Sequence, residues 1–201
     1  MTLGRVEVGG GFLLCAALLY YLDAEGIVLW ALMSCALHEL GHLAAIRLLG
    51  GRVVKLRLTC AGAELRLSAA RPLPPGRMMA AALAGPAVNL ALAVGTARLA
   101  RVGFGERLYL FAGLNLGLAC FNLLPVQWLD GGRALAAGLT LLWSERLGKQ
   151  VVAACTAALV AALLAVGALL LWESEGRNFT LLIAGLWMAG MAGRAKRAEI
   201  F

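Results

Sequence analysis

The chain has 201 residues, of which 62% are hydrophobic and only 14% are charged. A soluble domain cannot cover that much apolar surface, so the composition excludes a soluble globular protein and predicts a polytopic membrane protein. The formal net charge of +7 does not indicate nucleic-acid binding, because the basic residues flank apolar segments and are not interleaved with aromatic residues. We therefore expect the lipid bilayer, and no nucleic acid, as a partner.

Six apolar segments predict six transmembrane helices in one domain over residues 1–201, an all-α fold with one small amphipathic β-hairpin. The first segment is expected to be a retained helix and not a removed signal peptide, because other spans follow it. An interfacial helix is predicted before the fifth span, at residues 133–147. The six predicted spans cover residues 11–22, 26–49, 77–100, 106–124, 149–172 and 179–193.

Between the second and third predicted spans, the pattern changes to alternating polar and apolar residues. The alternation covers residues 52–58 and 64–68, with Ala61 and Gly62 at the turn. A period of two with a central glycine predicts a β-hairpin. Two interpretations of this hairpin stay open: a flap that lies on the membrane surface, or a strand edge that pairs with an extended substrate.

The lysines and arginines are divided unequally between the two sets of connectors. If the amino terminus is cytoplasmic, fourteen of them lie on the cytoplasmic side and four on the opposite side. Because short basic connectors stay in the cytoplasm, both termini of this multi-pass protein are predicted to be cytoplasmic.

The only two histidines of the chain fall within the second predicted span, in the sequence HELGH at residues 38–42. His38 and His42 are four residues apart, so they share one face of a helix and can bind one metal ion. Glu39 has the position of the general base in metalloproteases with this motif. Such groups at membrane depth indicate a functional site. The alternative is that neighbouring helices satisfy both histidines as ordinary polar groups.

A catalytic zinc site commonly has three protein ligands, so two histidines leave it one short. Asp130 is the best candidate for the third ligand, because it follows a helix end broken by Pro125 on the same side as the end of the second span. Glu64 in the hairpin and Cys35, three residues before His38, are weaker candidates. The segment around Asp130 must fold back into the bundle, which is tolerated where it lines a protein cavity.

These residues predict a hydrolytic mechanism. Zinc lowers the pKa of its bound water toward ~7. Glu39 takes a proton as this water attacks a peptide carbonyl and later passes it to the leaving amine. Asn122 can donate an amide N–H to the oxyanion, but it can equally cap the helix end or hold the loop of Asp130.

The third predicted span contains the sequence GPAVN at residues 85–89. A proline inside a helix frees a carbonyl and bends the axis, and a glycine lets a neighbouring helix approach closely. Asn89 is a polar group at membrane depth and must find a partner. The motif is interpreted as helix packing, as a wall of the active site, or as a mixture of the two.

Three motifs together resemble the site-2 protease family of intramembrane zinc metalloproteases. They are HELGH at residues 38–42, GPAVN at residues 85–89, and NLLP at residues 122–125 leading to LDGG at residues 129–132. The six-span layout is most similar to the branch typified by the bacterial stage IV sporulation protease FB. The resemblance implies zinc ligands at His38, His42 and Asp130, a catalytic base at Glu39, and Asn122 near the scissile carbonyl.

The resemblance implies an intramembrane zinc endopeptidase of a bacterial cell membrane, with Zn²⁺ as cofactor. Its substrate would be a membrane-embedded or membrane-associated protein, such as a sigma-factor or transcription-factor precursor, cleaved in regulated intramembrane proteolysis. An inhibitory or regulatory membrane protein is a further expected partner. Family members often carry NPxP where this chain has NLLP, and many carry a PDZ or CBS domain, which we do not expect here. The alternative function is that of a non-enzymatic membrane metal-binding or transport protein.

Overall fold

The computed structural model describes residues 2–3, 6–59, 62–67, 72–103, 105, 107–174 and 176–198. The described residues are mostly helical. They form two compact units, Met1–Leu123 and Leu124–Phe201. The helices are α1 (Gly10–Leu22), α2 (Ile27–Leu48), α3 (Pro75–Arg101) and α4 (Arg107–Asn122) in the first unit, and α5 (Asp130–Leu142), α6 (Glu145–Glu173) and α7 (Thr180–Ala198) in the second.

Three of these helices are long and apolar enough to cross a membrane. They are α2, α3 and α6, with mean hydropathies of 1.4, 1.7 and 2.5, and α7 contains a shorter apolar stretch, Thr180–Ala192. Large apolar side chains on the helices are exposed, as at Leu48 and Trp172, which are 87% and 86% exposed. Apolar outer surfaces on helices of this length fit the hydrocarbon of a bilayer. The structure is therefore that of a membrane protein, while the full count of six spans stays a prediction.

Each of the six predicted spans falls on one helix, but the segment before the fifth span differs from its prediction. The helix predicted at residues 133–147 is α5, which begins at Asp130 and ends at Leu142. The next helix, α6, begins at Glu145, because the Ser144 hydroxyl accepts a hydrogen bond from the Leu147 N–H at 3.2 Å and caps a new helix there.

The first unit contains a four-stranded sheet with the strand order β1 (Thr2–Leu3), β2 (Val6–Val8), β3 (Val53–Thr59) and β4 (Gly62–Leu67). β1 and β2 are antiparallel, β2 and β3 are parallel, and β3 and β4 are antiparallel, with Leu56 opposite Leu65. The strands predicted at residues 52–58 and 64–68 fall on β3 and β4, although Ser68 lies outside the described residues. β1 and β2 were not predicted, because two or three residues are too few to show a period.

In the first unit, α2 and α3 approach each other closely at a glycine. A Cβ atom added to Gly41 would lie 2.8 Å from Val88 Cγ2 and 3.0 Å from the Ala84 carbonyl oxygen. The rings of Trp30 and Phe111, with centroids 5.4 Å apart, join α2 to α4. Because Gly41 belongs to the HELGH sequence, this packing places the histidine face of α2 against α3.

In the second unit, a short loop before α5 is held against α6. Val126 and Leu129 are buried in an apolar cluster with Val160 and Met188. The Gln127 N–H donates to the Thr156 hydroxyl at 3.1 Å. These contacts fix the point at which α5 begins and hence the position of Asp130 within the unit.

Candidate metal centre

Helix α2 presents both histidine rings on one buried face. His38 is 4% exposed and His42 is 7% exposed. Their Nε2 atoms lie 3.1 Å apart, and the two ring centroids are separated by 4.7 Å. The spacing of four residues therefore brings one nitrogen of each imidazole ring to the same point, as the sequence predicts for a shared helix face.

The opposite nitrogen of each ring faces an oxygen of α3. His42 Nδ1 lies 2.8 Å from the Ala81 carbonyl oxygen, and His38 Nδ1 lies 2.9 Å from Asn89 Oδ1. A carbonyl oxygen only accepts, so each Nδ1 carries the proton in the neutral ring and each Nε2 carries a lone pair. Two lone pairs directed at one another at 3.1 Å repel, whereas a cation that both can coordinate removes this repulsion. The donor set of the pair thus fits a metal ion.

A glycine of α3 leaves room at the two Nε2 atoms. A Cβ atom added to Gly85 would collide with His42 Nε2 and would lie 2.8 Å from His38 Nε2. Gly85 is therefore part of the wall of the centre and not merely a helix-packing residue. Gly85 supports the interpretation of the GPAVN sequence as a wall of the site. The close packing of Val88 on Gly41 supports its interpretation as a helix-packing motif.

Asp130 is the first residue of α5 and is 7% exposed. His38, His42 and Asp130 are the group of buried residues that could hold a metal ion. Two imidazoles and one carboxylate are the donor set of an open catalytic zinc site. Cys35, one of the weaker candidates, is exposed and does not belong to this group.

Gly132 explains why a helix, and not a loop, begins at Asp130. A Cβ atom at Gly132 would overlap the Val126 carbonyl, so only glycine lets the first turn of α5 pack on the preceding loop. The Leu129 N–H donates to the same carbonyl at 2.9 Å and closes the turn. Gly132 thus permits the close backbone approach between the first turn of α5 and the preceding loop.

The two predicted catalytic residues occupy different settings. Glu39 follows His38 in α2 and is half-buried. Asn122 is the last residue of α4, and its side-chain amide donates to the Leu118 carbonyl at 3.0 Å. This bond uses one of the two amide protons of Asn122, and a contact of Asn122 with the scissile carbonyl stays a prediction.

Two buried polar residues near the centre escaped the sequence analysis as functional groups. Asn115 accepts a hydrogen bond from Asn89 Nδ2 at 2.9 Å and donates one to the Ser34 hydroxyl at 3.0 Å. Ser34 carries a signal that could have identified it, because it lies four residues before His38 and thus on the same face of α2. For Asn115, the only signal in the sequence is that a polar residue lies within an apolar predicted span.

Residues 94–166 match the family described as Peptidase family M50. The chain is 31% identical over 181 residues to a protein named "Putative zinc metalloprotease Rip3" in two strains of Mycobacterium tuberculosis, Erdman and H37Rv. That alignment covers 86% of this chain and 44% of the relative. The chain therefore spans less than half the length of the curated relatives it matches.

A solved structure shares the fold. The site-2 protease from Methanocaldococcus jannaschii superposes with a TM-score of 0.69 at 22% identity, over 96% of this chain and 92% of that chain. At this identity the likeness concerns the fold.

Proposed function

We infer that the chain belongs to the site-2 protease family of zinc metalloproteases, peptidase family M50, and acts as an intramembrane endopeptidase. The observation that carries this proposal is the convergence of His38 Nε2 and His42 Nε2 at 3.1 Å inside a helix apolar enough to cross a membrane. Histidines are rare at that depth and are retained there for function. Asp130 is the proposed third ligand, because it is buried and belongs to the same candidate metal group.

In the proposed mechanism, the metal ion and the residues of the chain have separate roles. When bound, zinc lowers the pKa of a water molecule and polarises the peptide carbonyl. The carboxylate of Glu39 takes the proton of the attacking water and delivers it to the leaving amine. The Nδ1 bonds of His38 and His42 hold both rings in position, so that their Nε2 atoms need no reorientation during the reaction. Asn122 is proposed to donate its second amide N–H to the developing oxyanion.

The proposed substrate is a membrane-embedded or membrane-associated protein whose cleavage releases a regulatory fragment. An extended peptide is the form that a protease cleaves, and β4 stands at the edge of the four-stranded sheet of the first unit. An edge strand can pair with such a peptide through its backbone. This supports the interpretation of the β3–β4 segment as a substrate strand edge over that of a surface flap.

Topology, location and regulation are proposed on the distribution of charge and on the family. We place six spans in a bacterial cell membrane with both termini in the cytoplasm, because fourteen of the eighteen basic residues then lie inside. Cleavage is proposed to occur near that face. A membrane protein that inhibits or regulates the enzyme is the proposed partner, and a sigma-factor or transcription-factor precursor of the stage IV sporulation type is the proposed substrate class.

The test uses purified full chain reconstituted in liposomes with zinc and a panel of tagged single-span membrane proteins. Mass spectrometry of the products maps any new termini. We expect cleavage within or beside an apolar segment of at least one panel member by the wild type, and none by Glu39→Gln. Transport of zinc into the same liposomes, without cleavage of any panel member, would instead establish the alternative of a metal transporter.

A further inference from the structure

A continuous chain of buried hydrogen bonds runs from the interior of the first unit to His38. It passes from His38 Nδ1 to Asn89 Oδ1 at 2.9 Å, from Asn89 Nδ2 to Asn115 Oδ1 at 2.9 Å, and from Asn115 Nδ2 to Ser34 Oγ at 3.0 Å. Asn89 and Asn115 are completely buried, and Ser34 is 1% exposed. Because these groups have so little contact with the surroundings, each must find its partners inside the protein.

Two backbone carbonyls fix the direction of every bond in this chain. Ser34 Oγ donates to the Trp30 carbonyl at 3.0 Å, and Asn115 Nδ2 donates to the Phe111 carbonyl at 2.9 Å. A carbonyl has no proton to give, so the hydroxyl proton of Ser34 is used at Trp30 and its oxygen accepts from Asn115. If the amide of Asn115 were turned over, its oxygen would face the Phe111 carbonyl and the Ser34 oxygen, neither of which offers a proton.

The direction set at those carbonyls extends to the metal centre. Asn115 must present Oδ1 to Asn89, so Asn89 must present Nδ2 to Asn115 and Oδ1 to His38. An oxygen in that place requires a proton on His38 Nδ1. The tautomer of His38 is thus specified by Trp30 and Phe111, which lie outside the metal-binding group.

We propose that Ser34 and Asn115 are positioning residues of the metal centre. They hold the amide of Asn89 in one orientation and thereby keep His38 in the tautomer whose Nε2 lone pair binds zinc. Neither residue belongs to the candidate metal group, so their effect acts through Asn89. The proposal rests on the proposed function, since it assigns a role toward the same zinc ion.

The first measurement is the zinc affinity of the full chain in detergent, determined by competition with a chelating dye. For Ser34→Ala and Asn115→Leu we expect affinity to fall by roughly 10–100-fold, the range typical for partners of metal-binding histidines. The zinc affinity of Asn89→Leu should fall at least as far. Asn89→Asp keeps an oxygen toward His38, so this variant should retain most of the zinc affinity. The matched control is Thr96→Val in α3, which removes a hydroxyl bonded only to the Leu92 carbonyl of its own helix and should leave affinity within about 2-fold.

The second measurement distinguishes positioning from a general loss of structure. The chain has only two histidines, so ¹⁵N-histidine labelling gives the tautomer of each ring directly by NMR in the zinc-free protein, at a pH well above the usual His pKa of ~6.5. We expect one tautomer for His38 in the wild type, protonated at Nδ1, and a mixture in Ser34→Ala. Alanine favours a helix more than serine, so we expect Ser34→Ala to fold. This variant therefore tests the positioning role even if Asn115→Leu does not fold.

The possible outcomes separate this inference from the proposed function. A wild type that neither binds zinc nor cleaves any protein contradicts the proposed function itself. A wild type that binds zinc, beside a Ser34→Ala variant with unchanged affinity and an unchanged His38 tautomer, overturns only the positioning role. A loss of affinity in Thr96→Val as large as that in Ser34→Ala would also overturn it.

Discussion

His38 and His42 direct their Nε2 atoms at each other across 3.1 Å, while the Nδ1 atom of each ring faces an oxygen acceptor on α3. This relationship determines which nitrogen of each ring carries the proton. It makes the pair a ligand for a cation and argues against two ordinary polar groups satisfied by neighbouring helices.

The first prediction concerns the three proposed ligands. Replacing His38, His42 or Asp130 with alanine should weaken zinc binding by more than the ~10–100-fold that loss of an outer partner causes. Metal analysis after dialysis against a weak chelator measures this directly. Cys35→Ala serves as the control and should keep a full complement of zinc. Full zinc occupancy in Asp130→Ala would mean that another carboxylate, such as a glutamate, is the third ligand.

The second prediction concerns Gly85. Because a Cβ atom at this position would collide with the Nε2 atoms of the histidine pair, Gly85→Ala should reduce zinc affinity by at least about 10-fold, comparable to the loss of an outer partner. The same change at Gly95 in α3 meets nothing within 4 Å and should leave affinity unchanged. Dye competition compares the two, and equal affinities would show that Gly85 does not form the wall of the centre.

The third prediction concerns the start of α2. The Asp23 carboxylate accepts hydrogen bonds from the N–H groups of Val28 at 2.7 Å and Ile27 at 2.9 Å. These bonds, that of Val28 above all, hold the pKa of Asp23 below its usual 3.8. A lowered pKa in the folded state means that the stabilisation is present above pH ~3.9, the unfolded value, and is lost as the pH falls through the folded value.

Asp23→Ala should therefore lower the thermal stability of the protein at pH 7, whereas at a pH below the folded pKa the variant and the wild type should melt alike. Thermal unfolding in detergent at pH values from 7 down to 3 measures the difference, which should begin to decrease below pH ~3.9. Glu25→Ala, in the same connector, is the control and should change stability less. A stability difference that stays constant over this pH range would contradict the assigned role of Asp23.

The fourth prediction concerns β4 as a substrate strand edge. Successive residues of an edge strand point their N–H groups alternately toward the neighbouring strand and away from it. Proline placed in turn at residues 63–66 should therefore abolish cleavage at alternate positions without unfolding the sheet, because only the outward N–H groups would pair with a peptide. Cleavage assays and circular dichroism on each variant test this. A scan in which cleavage is lost only where folding is also lost would favour the surface flap.

The sequence predicts the helices well because apolar length is a strong signal that needs no tertiary information. The predicted second span, residues 26–49, differs from α2 by one residue at each end. The helix predicted at residues 133–147 begins three residues after the observed start of α5 at Asp130, because Gly131 and Gly132 do not favour a helix in isolation. Only the packing of Gly132 on the Val126 carbonyl makes that segment the first turn of a helix.

The histidine pair could also be predicted without tertiary information, because a spacing of four residues on one helix is a local feature of the sequence. The partners of Asn89 were not identified, although the need for one was clear. Ser34 and Asn115 are 81 residues apart, and no pattern in the sequence predicts that α2 and α4 bring these two side chains into contact. Contacts of this kind depend on the packing of three helices and become visible only in the folded structure.

The central claim, zinc-dependent cleavage with Glu39 as the base, is tested most directly by comparing Glu39→Gln with the wild type in one preparation. Zinc content and cleavage of a membrane-protein substrate are measured together. We predict equal zinc content and a loss of cleavage of about 10²–10⁴-fold, because glutamine keeps the shape of the side chain but cannot take the proton. Cleavage by Glu39→Gln at the wild-type rate would contradict the account.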